Sequence, residues 1–107
     1  MFIRGASGRY ADLINGVYLL RDGIFNGFPQ YQKQDYWLVK NKKGNWSTMP
    51  TSSKETDDRR CLCVCVRKDL LLPHLAKEWL VNDGRNQVIQ PEVVISALVV
   101  PLKSCSS

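Results

Sequence analysis

Residues 35–49 read DYWLVKNKKGNWSTM, two runs of strand-forming residues on either side of a turn. Aromatic and β-branched residues are enriched in strands because they pack well on a pleated surface. The intervening residues 41–44, Asn-Lys-Lys-Gly, favour a turn, since Gly44 can adopt a positive φ. The pattern predicts a β-hairpin with Trp37 on its first strand and Trp46 on its second.

Further short strands are predicted on both sides of this hairpin. Runs of strand-forming residues occupy 13–20, 28–32, 61–66, 78–82, 87–89 and 92–100, and Gly, Pro, Asn and Asp separate many of them. About seven strands with closely spaced turns are typical of all-β folds. We therefore predict an all-β antiparallel sandwich or partly open barrel. At most one short helix is expected, in residues 70–79, which Pro73 would interrupt.

The chain has 107 residues, the size of one domain. We expect a single domain over 1–107, with an ordered β core at 5–100 and a tail at 101–107. Residues 50–60 are almost entirely polar and predict a mobile loop.

Three of the four cysteines alternate with aliphatic residues in the run Cys61-Leu-Cys63-Val-Cys65. Either side of such a strand is apolar, which predicts a central strand buried on both faces. Alternate side chains on a strand are about 6.6 Å apart, too far for the outer two thiols to share one metal ion. We predict buried thiols and no metal site. A redox role, with nearby cations such as Arg67 and Lys68 lowering a thiol pKa, stays open as an alternative.

The chain is moderately basic, with 15 Lys and Arg residues against 10 Asp and Glu residues and a formal charge of +5. Such a charge attracts anionic partners, although it also simply keeps small domains in solution. The N-terminal residues lack a signal-peptide pattern, and no apolar run approaches the ~20 residues that span a bilayer. We expect no membrane span and a cytoplasmic location.

No catalytic apparatus is evident in the sequence. His74 is the single histidine, in an apolar stretch, and no phosphate-binding glycine motif occurs. We expect that the chain is not an enzyme and needs no cofactor.

The predicted hairpin also carries the candidate binding residues. Exposed aromatic rings beside lysines can stack on bases or sugars, or anchor a peptide. The candidates are Tyr36, Trp37, Lys40, Lys42, Lys43 and Trp46. The alternative, that the aromatic residues form the core and the lysines a solvated rim, stays open.

Two motifs carry a resemblance to known proteins. The first is Asn15-Gly-Val-Tyr18 with Asn26-Gly-Phe-Pro-Gln-Tyr31, and the second runs from Trp79 to Gly84. Over about residues 5–95 the chain resembles a small β domain that occurs in large multidomain proteins of protists and algae. Those domains share an N-G-x-Y / N-G-x-P-x-Y opening and a late W-x-V-x-D-G element. The resemblance implies a repeated or appended module with a role in recognition or scaffolding, and it transfers no functional residue.

The absence of catalytic groups and the expected open strand edges favour a protein-interaction or scaffolding module, with a protein as the partner. Binding of nucleic acid or another anionic polymer is the first alternative, and binding of a carbohydrate or small ligand is the second. The sequence makes no prediction about the oligomeric state.

Overall fold

A computed structural model describes residues 1–56, 61–68, 70–82 and 86–97. These residues form two antiparallel sheets that share one hydrophobic core, and the larger sheet is not closed into a barrel. The prediction of an all-β antiparallel fold, as a sandwich or partly open barrel, is confirmed. The elements are β1 (Phe2–Arg4), α1 (Ala11–Ile14), β2 (Gly16–Val17), β3 (Leu19–Phe25), β4 (Phe28–Lys33), β5 (Tyr36–Lys40), β6 (Asn45–Pro50), α2 (Thr51–Thr56), β7 (Cys63–Lys68), a 3-10 turn (Pro73–Leu75), β8 (Trp79–Asn82), β9 (Gln87–Ile89) and β10 (Val94–Ser96).

The larger sheet contains seven strands in sequence order, β3 to β9, each antiparallel to the next. The strands from β3 to β6 are joined by short turns, which explains why turn residues predict them well, whereas α2 lies between β6 and β7. The hairpin of residues 35–49 is confirmed as β5 and β6. Its register places Trp37 opposite Met49 and Lys40 opposite Trp46.

The smaller sheet has the order β10-β1-β2, so the first strand of the chain is its central strand. Ile3 lies opposite Ile95 and is completely buried. The predicted core began at residue 5 and did not include this strand. A three-residue strand carries too little pattern to recognise, and its partner lies at the opposite end of the described chain.

Residues 13–20 form three elements rather than the single strand that their composition predicts. Gly16 has a φ of +133°, and a Cβ there would lie 3.0 Å from the side chain of Lys33. Helix α1 precedes this glycine, and Lys33 Nζ donates hydrogen bonds to the carbonyl oxygens of Asp12, Leu13 and Asn15 at the helix end. A lysine from β4 therefore attaches α1 to the larger sheet.

The residues that carry the resemblance have structural roles. Asn15 pairs with the backbone of Ala6, donating from Nδ2 at 2.9 Å and accepting at Oδ1 at 3.0 Å. Tyr18 is buried, and its hydroxyl donates to the carbonyl oxygen of Ile14 at 2.7 Å. Asn26 and its following glycine both have positive φ, as the tight turn between β3 and β4 requires.

Strand β3 is longer than its sequence suggests. Asp22 and Gly23 predict a loop, but the strand passes through them with a shift of register between Arg21 and Ile24. This shift is a β-bulge or similar irregularity, a feature in which a strand accommodates an extra residue without ending. The strand therefore reaches Phe25, and the loop before β4 is the two-residue turn.

The predicted mobile loop at residues 50–60 begins with a helix. Helix α2 follows β6 directly, while residues 57–60 and the predicted tail at 101–107 lie outside the described residues. With α1 and α2 the described residues contain two short helices, one more than expected. The segment around Pro73 contributes a 3-10 turn. No helix in the described ranges has the length and apolar character that a bilayer span requires.

The cysteine-rich strand is central but buried on one face only. Strand β7 pairs with β6 and β8, and Cys63 and Cys65 belong to the core. Val64 is half-buried on the opposite face, and Val66 is 42% exposed. The prediction of burial on both faces is wrong because this second face is only partly covered.

Candidate binding site

The structure divides the six predicted binding residues between the two ends of the β5–β6 hairpin. Tyr36 and Trp37 begin β5, close to helix α2. The other four lie at or beside the turn, and they are Lys40, Lys42, Lys43 and Trp46. Because a strand rises about 3.3 Å per residue, the two groups are separated by roughly 10 Å or more. They do not form one surface.

Trp46 belongs to the core. Its side chain has no exposed surface, and its Nε1 donates to the carbonyl oxygen of Leu70 at 2.8 Å. Its ring also contacts Phe28 and Tyr31, at centroid distances of 6.3 and 6.4 Å. A ligand could reach this indole only if the fold opened.

Lys40 is a buried lysine whose ammonium group is held by contacts within the fold. It is 3% exposed, and its Nζ lies 3.6 Å from the centre of the Phe28 ring and donates to the carbonyl oxygen of Leu70 at 3.1 Å. A cation over an aromatic face is stabilised by the ring quadrupole. Lys40 therefore contributes to the packing of the fold. Lys40 also lines a cavity of about 450 Å³ beside the turn, together with Asn26 and Phe28.

Trp37 attaches helix α2 to the sheet. Its Nε1 donates to Thr51 Oγ1 at 2.9 Å, and Lys54 Nζ lies 4.2 Å from its ring centre. Lys54 also lies 5.1 Å from the ring centre of Phe25. Tyr36, the neighbour of Trp37 on β5, packs against the core. Both aromatic residues are half-buried, so each retains some accessible surface.

Lys42 and Lys43 are exposed in the hairpin turn and border a cavity of about 450 Å³, which we call the sheet cavity. Its floor comes from β6, β7 and β8. Trp46, Cys63 and Val81 face the core, so the residues that alternate with them face the other way. The accessible floor residues are Val64, Val66 and Leu80, and Ser47 and Met49 also border the cavity but are buried.

The rim of the sheet cavity is polar and basic. Besides the two lysines it includes Asn41, Asn45 and Gln87. None of the described residues that line the cavity carries a carboxylate or an aromatic ring. The floor residues are not among the binding residues predicted from the sequence. The sequence does contain a signal for this floor, which is the alternation in residues 61–66. Val64 and Val66 point to the side of the strand opposite to the cysteines.

The three described cysteines are free thiols held in their neutral form. Burial raises the pKa of each one, and that of Cys63 reaches about 12. Arg67 acts in the opposite direction on the pKa of Cys65, but desolvation outweighs it. In the described ranges no three His, Cys, Asp or Glu side chains are grouped to hold a metal ion. Activation of a thiolate by neighbouring cations, the redox alternative, has no support in these pKa values.

The first strand of the larger sheet exposes more apolar surface than any predicted site residue. Leu19, Leu20 and Ile24 on β3 are 52%, 65% and 71% exposed. Among the described strands β3 pairs only with β4, so its other edge is open. Periodicity could not show this exposure, since the same residues suit a buried strand equally well.

No family model, no curated protein and no solved structure matches this chain.

Proposed function

We propose that the chain is a non-enzymatic protein-interaction module that accepts an extended apolar peptide from a partner along the open edge of β3. The observation that carries this proposal is the exposure of Leu19, Leu20 and Ile24 on one edge strand. Proteins usually protect such edges with charges, prolines, bulges or short strands, because an unprotected edge pairs readily with another strand. The charges of Arg21 and Asp22 and the shift of register protect the middle of β3, so the apolar residues on either side of them supply the docking edge. Strand addition to an edge is a common mode of peptide recognition.

The two edges of the larger sheet differ in length. Strand β3 has seven residues, whereas β9 at the opposite edge has three. A longer edge offers more backbone N–H and C=O groups to an incoming strand, and these groups supply much of the affinity in strand addition. This difference favours β3 as the docking edge.

The side chains of β3 support a partner with apolar residues. Leu19 and Leu20 are consecutive, so they project to opposite faces of the sheet. An added strand would therefore meet an aliphatic side chain on each face, which favours apolar residues at successive positions of the partner. The shift of register between Arg21 and Ile24 interrupts this edge, so we expect the partner strand to pair on either side of the shift, with residues 19–21 and with residues 24–25.

Binding of nucleic acid or another anionic polymer stays a prediction. In its favour, the register places Lys68 opposite Asn45, close to the turn that carries Lys42 and Lys43. Against it, the turn-side aromatic residue Trp46 is buried and unavailable for stacking on bases.

The test is a selection of displayed peptides against the full chain, followed by calorimetric titration of the selected peptide. Leu20→Lys places a charge on the open edge and should weaken binding at least about tenfold, since an edge charge opposes strand pairing. Val88→Lys makes the same kind of change on β9 and should leave binding unchanged. Bound peptide should also slow hydrogen exchange of the β3 amides.

The proposal is overturned if the selected peptides bind Leu20→Lys as tightly as the unaltered chain. Selected peptides that lose affinity only in Val88→Lys would move the site to β9 and equally reject it. A stable dimer that dissociates in Leu20→Lys would identify a second copy of the chain as the occupant of β3 instead of a separate partner.

A further inference from the structure

The sheet cavity lies away from the proposed docking edge and has its own chemistry. Its floor is on β6, β7 and β8, and β6 is separated from β3 by two intervening strands. Adjacent strands are about 4.8 Å apart, so β6 lies roughly 14 Å from β3. Occupation of the cavity would not require the β3 edge.

We propose that the sheet cavity binds a small amphipathic anion, a monomeric organic acid with an apolar tail of roughly ten carbon atoms. The volume of about 450 Å³ is within the usual range for small-ligand sites. Such sites combine an apolar lining with a few polar groups that orient the ligand. The sheet cavity has this composition, with an apolar floor and a basic rim.

The apolar tail lies on a row of side chains that the register brings together. Val64 on β7 is opposite Leu80 on β8, and both are half-buried. Val66 extends this floor along β7 and is 42% exposed, whereas Ser47 and Met49 on β6 are buried and support the floor from below. Each methylene group that leaves water for such a surface raises the affinity by about fourfold.

The acidic group of the ligand lies at the turn, beside Lys42 and Lys43. The turn presents these lysines from a backbone that is already ordered. Asn41 Oδ1 accepts hydrogen bonds from the backbone N–H groups of Lys43 and Asn45, both at 3.0 Å. The backbone N–H of Gly44 donates to the carbonyl oxygen of Asn41 at 3.0 Å. An ordered site lowers the entropy cost of binding.

Charge complementarity selects an anion over a neutral molecule of the same shape. Two exposed lysines border the cavity, and none of its described lining residues is acidic. Hydrogen bonds from an ammonium group to a carboxylate are stronger than those to a neutral acceptor. The lack of aromatic rings in the same described lining disfavours a stacked base or sugar.

The test compares decanoate with decanol, which has the same chain length and no charge, by calorimetric titration of the full chain below the micellar concentration. Decanoate should bind with one molecule per chain and about tenfold more tightly than decanol. The double variant Lys42→Gln, Lys43→Gln should remove this preference and leave decanol binding unchanged. Lys77→Gln alters an exposed lysine that does not line the cavity, and it should have no effect.

A second variant tests the floor. Val64→Phe should fill part of the cavity and weaken decanoate and decanol alike, with circular dichroism used to verify the fold. The proposal is overturned if the double lysine variant binds decanoate unchanged, or if folded Val64→Phe does. A single-stranded oligonucleotide provides a further test. The proposal is also overturned if the oligonucleotide binds more tightly than decanoate and its affinity depends on the two lysines but not on Val64. The basic turn would then bind a polymer. Leu20→Lys should leave decanoate binding intact, which separates this outcome from that of the β3 proposal.

Discussion

The ammonium group of Lys54 lies 4.2 Å from the ring centre of Trp37 and 5.1 Å from that of Phe25. One cation on α2 thus contacts aromatic residues from two strands of the larger sheet. The hydrogen bond from Trp37 Nε1 to Thr51 Oγ1 adds a second attachment at the start of the same helix. Helix α2 has six residues, too few to be stable in isolation, so these contacts hold it in place.

Removing the charge of Lys54 should destabilise the fold by about 1 kcal/mol, the usual size of a cation–π contribution at a partly exposed site. The variant is Lys54→Gln, and the measurement is the free energy of unfolding in urea. Lys77→Gln changes an exposed lysine and should alter stability by less than about 0.5 kcal/mol. Equal effects of the two changes would show that the cation–aromatic contact contributes nothing.

The two buried tryptophans should respond differently to replacement by phenylalanine. Trp46→Phe removes a hydrogen bond to Leu70, whereas Trp79 Nε1 is buried without a partner among the described residues. Trp79→Phe therefore removes an unpaired polar group, which offsets part of the lost packing. We expect Trp46→Phe to be more destabilising by about 2 kcal/mol. Urea unfolding of both variants measures the difference, and the reverse order would contradict this assignment.

The stability of the fold should decrease at alkaline pH because of Cys63. Its pKa is raised from 9.0 to about 12 by burial. Above pH 9 the unfolded chain releases this proton while the folded chain retains it, so rising pH favours unfolding. Between pH 8 and 10.5 the unaltered chain should lose roughly 2 kcal/mol more stability than Cys63→Ala.

Urea denaturation across this pH range provides the measurement. Tyr18 also has a raised pKa through burial, but it titrates in both proteins and cancels in the comparison. Parallel pH profiles for the unaltered chain and Cys63→Ala would mean that Cys63 ionises in the folded state as readily as in the unfolded state.

Two amide side chains hold the loop after β1. Asn15 pairs with the backbone of Ala6, and Gln90 pairs with that of Ser7, accepting at 2.8 Å and donating at 3.0 Å. Asn15→Asp retains the acceptor and removes the donor, and it should cost about 1–2 kcal/mol. Hydrogen exchange at the Ala6 amide should stay slow in this variant and become fast in Asn15→Ala. Fast exchange in both variants would show that the donor, and not the acceptor, holds the loop.

The local hairpins were predictable because the residues that form both strands and the turn follow one another in the sequence. Residues 35–49 contain both strands and the turn, and the positive φ values of Asn26 and the glycine after it follow directly from an Asn-Gly pair. The sequence predicts about seven strands and the described residues form ten, because strands as short as β1 and β2 carry too little pattern to recognise. The course of β3 through Asp22 and Gly23 is not predicted either, because a bulge and a loop use the same residues.

Which strands pair, and which side chains are exposed, depended on contacts between residues far apart in the chain. Strand β1 exists because β10 pairs with it, and Lys40 is buried because Phe28 and the backbone of Leu70 surround it. The same applies to the candidate sites, since Leu20 resembles a core residue in sequence and lies on an open edge in space. The alternation along each strand separates two faces, but only the packing of the second sheet and of α2 establishes which face and which edge remain accessible.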